Sequence, residues 1–130
     1  MKFTVTSLLL CLVLVGCGYQ RYLKFDTQEY QNFIMVKVTA DQAQPECHDN
    51  RFMVQSVYGP QLMQLAMVAQ EYSMYRGTLE TLKASEELKS LIQELNNRRQ
   101  AGYSEAYCND KLQNISRAAE RIAATLAKKE

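Results

Sequence analysis

The chain's 130 residues carry 15 Lys+Arg against 14 Asp+Glu, a formal net charge of +1. That length fits one domain. The balance of charge excludes the basic excess of a nucleic-acid binder, and it argues against charge as the membrane anchor.

The chain opens with Met1-Lys2, a short positive start, followed by an apolar run from Phe3 to Val15 broken only by Thr4, Thr6 and Ser7. A membrane-crossing helix needs roughly 20 such residues, so the run is too short to span and fits the apolar core of an export signal. It ends in Leu14-Val15-Gly16-Cys17. This tetrapeptide resembles the lipobox of bacterial lipoproteins: two aliphatic or small residues, a small residue before the cut, then the modified cysteine. The resemblance covers the first 17 residues. It implies cleavage between Gly16 and Cys17, a diacylglyceryl thioether on Cys17, and a further palmitate-class acyl chain on its amine. Cys11 follows Leu8-Leu9-Leu10 with no small residue before it, so it is not the lipid site. Each buried methylene contributes ~0.8 kcal/mol and two chains already hold stably. Gly18 stands where an Asp would favour the inner membrane, which implies an outer-membrane lipoprotein facing the periplasm.

Residues 18–32 are polar with interspersed aromatics and read as a tether, with one short strand at Tyr22 to Phe25. Extended at ~3.3–3.6 Å per residue it would reach about 50 Å. Phe33-Ile-Met-Val-Lys-Val-Thr39 is rich in β-branched residues between polar runs and reads as a strand, with a buried helical turn as the alternative. Residues 40–51 read as a loop carrying Cys47. The domain proper is therefore set at 33–130.

Pro60 suits the first turn of a helix, where its missing N–H costs nothing. From Gln61 the pattern is helical: Leu62, Leu65, Ala69 and Tyr72, ended by Gly77-Thr78. A second helix carries Leu79, Leu82, Leu88, Leu91, Ile92 and Leu95, with Gly102 as terminator. Ser104 reads as an N-cap with Glu105 in the first turn. The last helix has the cleanest seam: Cys108, Leu112, Ile115, Ala119, Ile122 and Leu126, spaced 4, 3, 4, 3, 4. The fold class that follows is mainly α, a small antiparallel helical bundle or hairpin with a short extended segment before it.

Removal of Cys11 with the leader and acylation of Cys17 leave Cys47 and Cys108. Export places both in an oxidising compartment, so a Cys47–Cys108 disulfide is expected.

No motif carries catalysis. His48 is the only histidine, and with Cys47 it supplies two of the four ligands a structural zinc takes. There is no Gly-x-Ser-x-Gly elbow and no glycine-rich phosphate loop. Glu86, Glu87 and Glu94 read as a solvated face, with Glu86/Lys89 and Glu94/Arg98 as pairs. No metal and no cofactor beyond the acyl chains on Cys17 is expected. Tyr72, Met74, Tyr75, Tyr103 and Tyr107, with Met63 and Met67 nearby, form a candidate interface, since Tyr and Met favour protein contacts. The alternative role for each is core filling.

The expected function is non-enzymatic: a lipid-anchored module that binds another envelope protein through a helix face, or a second copy of itself through the seam. The size and helical seam also resemble small accessory lipoproteins of phages and plasmids, which would imply the outer lipoprotein of a lysis spanin pair or an exclusion lipoprotein. A small-ligand or inhibitor-type domain stays open; it requires a cavity between the helices and the Phe33–Thr39 segment.

Overall fold

In a computed structural model the structure describes residues 25–98 and 102–129. The expected export signal, Cys17 and most of the expected tether lie outside them. Four long helices make up the fold: α1 (Thr27–Ala43), α3 (Gly59–Arg76), α4 (Leu79–Asn97) and α5 (Glu105–Ala127), with a four-residue α2 (Glu46–Asp49) after α1. Among the described residues there is no strand.

The Phe33–Thr39 segment is helical, which corrects the strand expected there. The local reason is a cap. The Asp26 carboxylate accepts the Glu29 N–H at 2.8 Å and starts a helix upstream of the β-branched run. Once started, the helix places Phe33, Val36, Ala40 and Ala43 on one fully buried stripe. Packing of that stripe outweighs the weak strand preference of Ile34, Val36 and Val38. The same helix absorbs residues 27–32, so the segment between Cys17 and the domain is about half as long as expected. Phe25 precedes the helix in neither helix nor strand, and most of the expected loop at 40–51 is helical turn.

Pro60 sits in the first turn of α3, as expected. The helix does not begin afresh there: the α turn Arg51–Met53 runs into a π turn, Val54–Tyr58, which leads directly into α3. A proline N cannot donate to the α ladder, and the wider π turn lies immediately before it. Gly59 is buried against α4, where a Cβ would meet the Asn96 side chain. Asn96 Nδ2 donates to the Gly59 carbonyl at 3.2 Å, so α3 and α4 approach closely at this point.

Gly77 ends α3 at φ 71°, the left-handed conformation that glycine adopts without penalty. Ser104 caps α5, its hydroxyl accepting the Tyr107 N–H at 3.2 Å, and the whole expected seam of α5 is buried.

The long helices pack as a ring in chain order, α1 on α3, α3 on α4, α4 on α5, and α5 back on α1. Neighbours are antiparallel. The start of α1 meets the end of α3 through Asp26 and Tyr72, and its later part meets mid-α5 through Asp41 and Ser116. Glu94 late in α4 meets Lys111 early in α5. The result is an up-down-up-down four-helix bundle, in which α1 joins the three helices expected from Gln61 onward. Its core is Phe33, Val36, Leu62, Leu88, Ile92, Leu95, Leu112, Ile115 and Leu126, with alanines between them.

Candidate functional site: the two ends of the bundle

The bundle has two chemically different ends. The proximal end, where the described chain begins, gathers Asp26 and the start of α1, the α3–α4 turn, and the end of α5. The distal end gathers α2, the π turn, the end of α4 and the start of α5.

At the proximal end the charges turn inward. Glu29 is 1% exposed. Its Oε1 accepts from the Thr78 hydroxyl at 2.7 Å and the Ser73 hydroxyl at 3.1 Å. Thr78 precedes α4 yet does not cap it with its side chain, because the hydroxyl serves Glu29. Arg76, nearly buried, stands 3.7 Å from Glu29 Oε2 and 3.8 Å from Asp26 Oδ2. Asp26 also accepts from the Tyr72 hydroxyl at 3.0 Å. Burial and the hydrogen bond to Asp26 raise the Tyr72 phenol above its ordinary value. Outside this network Met74, Tyr75 and Leu79 are exposed, Leu79 at 79%, with exposed Glu80 next to Leu79 in the chain.

At the distal end the disulfide joins Cys47 of α2 to Cys108 of α5, with both residues fully buried. His48 points outward and lies 3.1 Å from Glu105. That hydrogen bond, with the charges of Glu105 and Asp49, raises the imidazole pKa above 6.5. Tyr103 and Tyr107 pack with ring centroids 5.6 Å apart, and the Arg98 guanidinium lies 4.4 Å over the Tyr107 ring. The Tyr103 hydroxyl is buried without a hydrogen-bond partner among the described residues. Burial and the adjacent Tyr107 push it up to about 12. Phe52 is 70% exposed, and Val57, five residues on in the π turn, is exposed as well.

The expected interface set is therefore divided. Tyr72, Met74 and Tyr75 lie at the proximal end, Tyr103 and Tyr107 at the distal end, and no single face holds all five. Tyr72 spends its hydroxyl on Asp26. Sequence reasoning missed three features: Phe52, whose polar neighbours Asn50 and Arg51 were the available signal; the exposure of Leu79, read only as one of the apolar residues of the second helix; and the Asp26–Glu29–Arg76 network, which only the meeting of α1 with α3 creates. The Glu94/Arg98 pairing is corrected as well: Glu94 pairs with Lys111, and Arg98 stacks on Tyr107. Lys89 donates to Gln70 at 3.4 Å.

Chemically the arrangement is quiet. The Cys47 sulfur is in the disulfide, so no thiolate stands next to His48. Among the described residues no group of three His, Cys, Asp or Glu side chains could hold a metal, and no helix is long and apolar enough to cross a membrane. An open groove of about 360 Å³ runs between α4 and α5, lined by Ala84, Leu88, Leu91, Ala118, Arg121 and Ile122. Phe33 and Val36, against which a small-ligand domain would need a cavity, are fully buried. Comparison with protein families, with curated proteins and with solved structures finds no match to the chain.

Proposed function

We propose that the chain is a lipid-anchored, non-enzymatic interaction module of the outer membrane, which holds a rigid four-helix bundle in the periplasm and presents its distal end to another envelope protein. The observation that carries the reading is the distal end itself. A buried disulfide there fixes α2 to α5, and beside it stand exposed Phe52 and Val57 and the Tyr103–Tyr107–Arg98 stack. Aromatic and Arg side chains on a rigid base are the usual anchors of protein contacts. A disulfide of this kind persists in oxidising compartments, which agrees with the export signal and lipobox at residues 1–17.

The test is site-specific photocrosslinking in bacterial cells. A photoreactive residue at Phe52 should trap one dominant envelope protein. The same residue at exposed Ser90, mid-helix on α4, should not, and Cys17→Ser should weaken the Phe52 adduct. Equal labelling from Phe52 and Ser90, or no adduct from either, would contradict the reading.

A further inference from the structure

We propose that the proximal end of the bundle seats on the lipid surface to which Cys17 is anchored, with Met74, Tyr75 and Leu79 entering the headgroup region. The inference rests on the lipoprotein reading of residues 1–17 and extends it to a second, non-covalent membrane contact.

Three observations carry it. The first is reach. Helix α1 begins at Thr27, so only residues 18–25 link Cys17 to the domain. Fully extended, eight residues span at most roughly 26–29 Å. Helix α5 has 23 residues, and at ~1.5 Å per residue the bundle is about 35 Å long. An inverted bundle, distal end on the membrane, would put Phe25 farther from the surface than this link can reach. The proximal end is thus the one held near the lipid.

The second is the distribution of polarity at that end. Asp26 and Glu29 accept from the Tyr72, Ser73 and Thr78 hydroxyls inside the bundle, with the Arg76 guanidinium 3.7–3.8 Å from both carboxylates. The α3–α4 turn meanwhile offers Met74, Tyr75 and Leu79 outward. Apolar residues of an interfacial segment bury ~5–10 Å into the headgroup boundary, and Tyr is favoured at that depth.

The third is charge. Lys128 and Lys129 follow α5, whose last turns adjoin the start of α4 around Thr81 and Thr125. They lie on the same end as Leu79, where lysines attract lipid phosphates; Glu80 on that end and Glu130, next in the chain, are acidic.

The chain contains no Trp, so Leu79→Trp and Phe52→Trp each install a single fluorophore at an exposed position. The acylated full chain is reconstituted in phosphatidylethanolamine–phosphatidylglycerol vesicles with brominated acyl chains. Intact mass establishes the acyl groups on Cys17 in the same sample. The expected result is blue-shifted emission from Leu79→Trp with most of it quenched, and no quenching of Phe52→Trp; Met74→Trp should follow Leu79→Trp. Acylated protein whose Leu79→Trp and Met74→Trp emission is water-like and unquenched would overturn the proposal alone. Equal quenching at Leu79 and Phe52 would overturn it in favour of a bundle lying flat. Absence of the acyl mass would remove the anchor, and the proposal with it.

Discussion

Glu29 and Arg76 are a nearly buried pair of opposite charge at the α1–α3 contact, and their geometry sets the cost of altering either. Removing one partner of such a pair leaves the other charge uncompensated, typically at about 3–5 kcal/mol. Glu29→Ala should therefore lower the urea midpoint by an amount equivalent to roughly that loss; an unchanged midpoint would show that the network is not formed in solution. His48 makes a milder, pH-dependent statement. Its folded pKa lies above 6.5 because the hydrogen bond to Glu105, and then the charges of Glu105 and Asp49, favour the imidazolium. The contribution of the pair is therefore fully present below pH 6.5 and fades as pH rises through the folded midpoint. Both groups are well exposed, so the effect on stability is small. Because His48 is the sole histidine, its NMR titration is unambiguous. The midpoint should lie above 6.5 and fall when Glu105 is replaced by Gln.

The α1 helix is the element for which sequence and structure part. A strand would put Val36 and Val38 on the same face, two residues apart. The helix buries Val36 completely and leaves Val38 exposed. Val36→Ala should cost about 2 kcal/mol in a denaturation experiment and Val38→Ala nearly nothing; equal costs would restore the strand. The disulfide has a comparable test. It closes a separation of 61 residues, for which chain entropy gives roughly 4 kcal/mol, so the double Cys47→Ala, Cys108→Ala variant should lose most of that in a thermal or urea melt.

What was legible followed from strong periodicity and explicit punctuation. The α5 seam, the Ser104 cap and the Gly77 stop were readable because each rests on residues adjacent or periodic in the chain; the cysteine pairing, across 61 residues, followed instead from elimination of Cys11 and Cys17. α1 was not, because Ile34, Met35, Val36 and Val38 carry apolar side chains on both faces, which blurs the helical stripe. Its cap, Asp26 with Glu29 three residues on, lay in a segment whose polarity suggested a tether. The proximal network was invisible for another reason: Asp26 and Glu29 are more than forty residues from Tyr72, Ser73, Arg76 and Thr78 in sequence.

The whole molecule, over the described residues, is a closed bundle whose two ends carry different surfaces. Helix-by-helix packing in chain order keeps contacts local and the core continuous, and the disulfide and the Asp41–Ser116 hydrogen bond fasten α5 to the α1–α2 side. Burial pushes the Asp41 carboxyl up, but hydrogen bonds from Lys37 and Ser116 outweigh it and hold it below its ordinary value. That contribution is accordingly present at neutral pH and lost as pH falls below about 3.8. Everything said of membrane and partner depends on the processing of the first 17 residues, and intact mass spectrometry of the protein extracted from bacterial membranes tests it directly. The expected result is a chain that begins at Cys17, with diacylglyceryl and N-acyl groups on Cys17 and one disulfide. A chain that retains residues 1–16, or one whose Cys17 carries no lipid, would contradict it.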